Sequence, residues 1–168
     1  MKDELIYQER LTSNKTLALF VGLTILFLVL LTWRVMANGL NGLAILFLVF
    51  LVFFLFYSVN YRTLIIHITP DFLKLKFGIF TWTVVMDNIE TCTLDHLPTI
   101  MRLGGAGIHF MFIRGRYRAS FNFLEYPRLA IAFKRKAGPV RDLSFSTRQP
   151  DEILSIINKA ITDQKAPK

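Results

Sequence analysis

Two long apolar stretches fill most of the first third of the chain, and shorter alternating patterns fill the rest. Thr16 to Trp33 is a run of 18 residues without a charge, and Val35 to Tyr61 is a second of 27. Neither shows a polar face: Leu23 to Leu31 is interrupted only by Thr24, and Leu43 to Tyr57 is apolar throughout. A helix needs about 17 to 25 mostly apolar residues to cross a hydrocarbon core of roughly 30 Å. The pattern therefore predicts a transmembrane hairpin, with helices at about 17–33 and 40–59. The Asn38-Gly39-Leu40-Asn41-Gly42 turn makes them antiparallel neighbours. The length of the first run, and the second run close behind it, favour two permanent spans over a cleaved signal peptide.

Beyond residue 60 the period changes to two. Tyr61 to Ile68, Phe72 to Phe77, Phe80 to Val85 and Ile89 to Leu94 read as strands, with turn signals at Thr69-Pro70-Asp71 and Gly78. Ile108 to Phe123 reads as a hairpin with Gly115 near its tip. A further hairpin pairs Arg128–Lys136 with Val140–Thr147 across Ala137-Gly138-Pro139. Pro150 then suits a first helical position, Asp151 and Glu152 suit the positive end of a helix dipole, and Ile153, Ile156, Ile157, Ala160 and Ile161 recur at helical spacing.

The run Ile68-Thr69-Pro70-Asp71-Phe72-Leu73-Lys74-Leu75-Lys76-Phe77-Gly78-Ile79-Phe80-Thr81, followed by Met86-Asp87-Asn88-Ile89-Glu90, resembles bacterial pleckstrin-homology-like (PH-like) domains. Members often follow a pair of transmembrane helices. The resemblance covers residues 60 to 95 and continues through the closing order of hairpin and helix. It implies an α+β membrane protein: a PH-like seven-stranded β-barrel with a C-terminal α-helix as its cap, used for binding rather than catalysis. The expected organisation is a tail at 1–16, the hairpin at 17–59, the PH-like domain at 60–163 and a short tail at 164–168.

Charge adds an orientation. Lys2, Arg10 and Lys15 precede the first span, and Arg62, Lys74 and Lys76 follow the second, whereas the connector holds only Arg34. Lysine and arginine accumulate on the cytoplasmic side. Both termini are thus expected in the cytoplasm, with the protein a multi-pass component of the plasma membrane.

The net charge of +8 is concentrated late in the chain. Between Arg102 and Arg148 there are ten basic residues against Glu125 and Asp142, which leaves the remainder neutral. Two clusters stand out: Arg114, Arg116 and Arg118 on one hairpin, and Lys134, Arg135, Lys136 and Arg141 on the other. These seven are the candidate residues for anionic lipid or a partner. Each basic group near an anionic leaflet is worth roughly 1 kcal/mol. In eukaryotic PH domains the inositide site draws bases from the first hairpin loop, but here that turn is Thr69-Pro70-Asp71 and carries none. Aromatics interleave with arginines over Phe110 to Phe123, a pattern that suits single-stranded nucleic acid. A barrel core needs those same aromatics, and no nucleic-acid partner is expected.

Other chemistry is sparse. No Asp, Glu, Lys, Arg or His lies within either apolar run, which argues against a transporter or intramembrane protease. The glycines of Met101 to Gly107 lack the Gly-Lys-Ser/Thr of a P-loop and the spacing of a dinucleotide fold. Cys92, the sole cysteine, lies close to Asp95 and His96, a remote thiol-enzyme arrangement. His67, His96 and His109 have no metal-ligand spacing. No catalytic residue, cofactor or metal is expected. The expectation is a non-catalytic interaction or scaffold module at the cytoplasmic face, contacting another membrane protein or a second copy; the alternative is a sensor of anionic headgroups through the basic hairpins.

Overall fold

The computed structural model describes residues 5–95, 106–113 and 115–165, with side chains to residue 163. It is an α+β structure with two long apolar helices and two β-sheets. Helix α1 (Asn14–Asn38) begins at Ser13, whose hydroxyl oxygen accepts the Thr16 N–H at 3.0 Å. It ends at Gly39, whose φ of 68° suits glycine. Helix α2 (Gly42–Asn60) is capped by Asn41, whose Oδ1 accepts the Ala44 N–H at 3.1 Å. Both helices are long and apolar enough to cross a membrane. Their only buried residues are Thr16 and Phe20 in α1, and Ala44 and Ser58 in α2. Phe27 of α1 packs between Phe50 and Phe54 of α2, with centroids at 5.0 and 5.4 Å. Away from the helix ends the remaining surface is apolar and bare, the reverse of a soluble core helix.

The first sheet is antiparallel, in the order β1-β2-β3-β4. Its strands are β1 (Tyr7–Thr12), β2 (Thr63–Ile68), β3 (Phe72–Phe77) and β4 (Phe80–Val85). Strand β1 lies in the segment expected to be a tail. It pairs with β2 from Tyr7↔Ile68 to Thr12↔Thr63, so the helical hairpin is inserted between two neighbouring strands of one sheet. Gly78, at φ 60°, turns β3 into β4 against the end of α2. A Cβ there would overlap the Asn60 backbone and side-chain oxygens.

A short 3-10 turn (Met86–Asn88) leads to the second sheet, ordered β5-β8-β9-β7-β6. Its strands are β5 (Ile89–Leu94), β6 (Gly107–Ile113), β7 (Arg116–Asn122), β8 (Arg128–Ala137) and β9 (Val140–Ser146). All neighbours are antiparallel except β7 and β9, which run parallel with Arg118↔Asp142 in register. The expected single seven-stranded barrel is thus replaced by nine described strands in two sheets, neither closed. Alternation assigns faces to strands, but closure depends on which edges meet.

One core joins the sheets. Leu64, Ile66, Ile68, Leu73, Leu75 and Phe77 meet Phe121, Leu129, Ile131, Leu143 and Phe145, while Tyr7 and Leu11 of β1 extend it. Helix α3 (Pro150–Lys165) contributes Ile153, Ile157 and Ile161 and lies against β5 and the 3-10 turn.

Candidate functional site

The β-domain has two ends of different chemistry. The helical end is tied to α1 and α2. The Leu124 N–H donates to Thr16 Oγ1 at 3.2 Å, and the Ile79 N–H donates to Asn60 Oδ1 at 2.9 Å. Gly107, the first residue of β6, sits against the rings of Tyr61 and Tyr57 near the end of α2. From there β6 runs away from the helices. At about 3.3 Å per residue its last residue, Ile113, is roughly 20 Å along the strand from Gly107. Ile113 is in register with Arg116.

The basic hairpins therefore lie away from the helices. Arg116 Nη2 lies 3.4 Å from the Arg141 carbonyl oxygen, which joins the β6–β7 tip to the β8–β9 tip. Lys134 Nζ donates to the Asp87 carbonyl at 2.8 Å. Asn88 exchanges two 2.9 Å bonds with the backbone of Arg135. Both tie β8 to the 3-10 turn. Lys134, Arg135, Lys136 and Arg141 are exposed. Arg114 lies outside the described residues, as do His96, Met101 to Gly105 and Arg102.

Two members of the cluster are already committed. Arg118 Nη1 lies 3.0 Å from Asp95 Oδ1, and its Nη2 lies 3.6 Å from Asp142 Oδ2. Arg116 Nε is 2.8 Å from Asp142 Oδ1, close enough for an ion pair though not aligned as a hydrogen bond. The side chains of Asp95 and Asp142 are each only 7% exposed, and that of Arg118 is 11% exposed. Charges this deep need their partners to offset desolvation. Arg118 is therefore part of the fold, and what remains to meet a ligand among the described candidates is Lys136, Arg135, Arg141 and the outer side of Arg116.

The sequence reading missed the polar layer around Arg118. On β7, Arg118, Ser120 and Asn122 alternate with the core residues Ala119 and Phe121. On β9, Asp142, Ser144 and Ser146 are likewise polar. Ser120 and Ser144 share a bond at 2.9 Å, and Ser146 Oγ accepts the Phe123 N–H at 3.0 Å. All four side chains of Ser120, Asn122, Ser144 and Ser146 are buried. Arg128, 1% exposed, lies near His109, whose pKa is lowered to about 4 by burial and by that guanidinium. The Arg-x-Ser-x-Asn and Asp-x-Ser-x-Ser alternations were the available signal.

A second hub holds β1 in place. Glu9 Oε2 accepts the Thr147 hydroxyl at 2.6 Å, and its Oε1 accepts the Arg148 N–H at 2.9 Å. The Tyr7 hydroxyl donates to Gln149 Oε1 at 2.8 Å. Cys92 is buried on β5, and burial pushes its pKa up to about 12, holding it as a neutral thiol. Among the described residues no cluster of His, Cys, Asp and Glu is arranged to hold a metal.

Beside the exposed cations lies an aromatic edge. Phe112 and Phe110 on β6 are 75% and 45% exposed, and the Tyr117 ring lies 4.8 Å from that of Phe112. Phe112, Tyr117, Lys136, Pro139 and Arg141 line an open depression of about 280 Å³. Comparison with known proteins returned no matching family model, no matching curated protein and no matching solved structure.

Proposed function

We propose that this protein is a membrane-anchored, non-catalytic interaction module, PH-like in type, whose partner is another protein at the cytoplasmic face. The reading rests first on the helical hairpin: its two helices are apolar around their whole circumference. Pairing of β1 with β2 keeps the flanks of that hairpin side by side, as a hairpin that enters and leaves one face requires. Lysine and arginine counts on those flanks favour the cytoplasm. PH-like character draws support from the order of the elements, strands first and a helix last. Two sheets share one core and are followed by a C-terminal helix that packs on it.

A single observation carries the choice of protein over lipid. The exposed basic tips adjoin the aromatic edge at the end of the domain remote from the helices, and Arg118 is ion-paired within the fold. A surface of aromatic groups with a basic rim suits a protein contact, where Tyr, Trp, Phe and Arg are enriched.

Photocrosslinking of the full chain in membranes tests this. A photoreactive residue at Phe112 or Lys136 is expected to give discrete protein adducts, abolished by Arg141→Glu. Absence of protein adducts at both positions, with anionic vesicles bound through Arg135 and Lys136, would transfer the function to lipid.

A further inference from the structure

At the helical end, the segments flanking α1 and α2 leave an open cavity of about 610 Å³. Two arginines line it, from opposite sides of the helical hairpin: Arg10 on β1 and Arg62, two residues beyond α2. Antiparallel pairing brings them together, since Arg10 faces Ile65 and Thr12 faces Thr63 across the ladder. Both are exposed, and among the described residues neither is in a salt bridge and no Asp or Glu lines the cavity. Asn60 also lines it. Its Oδ1 is used by Ile79, but its amide nitrogen is buried without an acceptor. The wall nearest the helices is apolar, formed by Leu17 and Val59 at the base of each helix.

This layout matches an amphiphile with an oxyanion. Guanidinium groups bind phosphate oxygens in paired, charge-assisted hydrogen bonds, and a buried amide donor gains by finding an acceptor. The volume falls within the usual range of about 300 to 1,000 Å³ for small-molecule sites. We propose that the cavity seats the phosphate of an anionic phospholipid headgroup, with Arg10 and Arg62 holding the phosphate and Leu17 and Val59 contacting the start of the acyl chains. The inference rests on the membrane-anchored reading above. It moves lipid recognition from the distal hairpins to a site split between the two flanks of the anchor.

The test uses the full chain in nanodiscs of phosphatidylcholine with graded phosphatidylglycerol, and native mass spectrometry to read which lipid is retained. Wild-type protein is expected to retain phosphatidylglycerol selectively. Two surface charges at about 1 kcal/mol each correspond to a roughly thirtyfold loss of that preference in Arg10→Gln/Arg62→Gln. Each single variant loses about fivefold, which keeps the test readable if the double variant unfolds. Lys74→Ala/Lys159→Ala removes the same charge elsewhere and is expected to keep the wild-type preference. Equal retention by wild type and the Arg10/Arg62 variants overturns the site. Inorganic phosphate that displaces phosphatidylglycerol and stabilises the protein equally in pure phosphatidylcholine discs overturns the lipid assignment in favour of a small anion. Failure of the chain to enter discs removes the anchored reading and the site together, whereas entry without selective retention removes the site alone.

Discussion

The distal and helical ends of the β-domain use arginine in opposite ways. In the distal half, Arg118 is largely buried and shared between Asp95 and Asp142, and Arg116 leans on the same Asp142. At the helical end, Arg10 and Arg62 are exposed and line a cavity that holds no carboxylate among the described residues. An arginine whose charge is already compensated gains little from a second anion, while an uncompensated one can still gain. Charge density along the chain thus ranks the distal hairpins first for an anionic ligand, but pairing reverses that order. What the distal end retains is a mixed surface of Phe112, Tyr117, Lys136 and Arg141, better suited to a protein.

The largest expected effect comes from breaking the frame that both ends share. Leu11 of β1 is fully buried, and Leu11→Asp places an unpaired carboxylate in the core. A loss of about 4 kcal/mol is expected. Thermal unfolding of the full chain in detergent, with proteolysis of the β-domain, would register it. Should the variant unfold like wild type, β1 is not integral to the domain.

Next comes the distal pairing. Arg118→Met leaves buried Asp95 without its cation among the described residues and Asp142 with Arg116 alone, and is expected to cost about 3 kcal/mol. Adding Asp95→Leu should restore part of that loss. Strictly additive losses in denaturant melts would mean that Arg118 is not held by Asp95 in the folded state.

The neutral His109 gives a pH signature. Its folded pKa of about 4 lies below the ordinary 6.5. Its contribution is therefore intact above pH 6.5. As pH falls from 6.5 toward 4, the unfolded imidazole takes up a proton that the folded one refuses, and stability declines by an amount on the order of 2 kcal/mol. Below pH 4 that decline levels off. His109→Gln should flatten this part of the curve, and an unchanged slope in the variant would assign the dependence to other groups.

The smallest effect is expected at Glu9. Glu9→Gln keeps the shape but removes the charge that receives Thr147 and Arg148. About 1.5 kcal/mol should be lost, read as a drop in melting temperature, while phosphatidylglycerol retention stays at the wild-type level. A fall in retention without a fall in stability would contradict Glu9's role as a brace.

Glu9 also explains why β1 was illegible in the sequence. Its inward register reads Tyr7, Glu9, Leu11, and a charge in the middle breaks the alternation that identifies a half-buried strand. The partners that make that charge acceptable lie near the other end of the chain. Strands β2 to β9 and helix α3 were legible to within about two residues, most of them because the positions facing the shared core are apolar. Both long helices were legible from composition alone. The first runs farther than its uncharged stretch, continuing past Arg34 to Asn38, while α2 stays within the second stretch. The distal cations were visible by position, but their worth depended on Asp95 and Asp142, which only the folded sheet brings alongside. The direction in which the hairpin tips face was equally hidden, because it follows from Gly107 packing against Tyr57 and Tyr61.

The central claim is that the chain leaves the β-domain after β1, passes through the helical hairpin and returns to pair with the strand it left. Gln8 and His67 face each other in that ladder, and buried Cys92 stays out of thiol exchange. Cysteines directly opposite in an antiparallel pair have Cα atoms about 4.5 to 5.5 Å apart, within disulfide range. The most direct measurement is oxidation of the full-length Gln8→Cys/His67→Cys protein in membranes, read as a shift in gel mobility reversed by reductant. Rapid, quantitative intrachain crosslinking is expected. Two cysteines that stay reduced and react with impermeant maleimide from opposite sides of the membrane would contradict it.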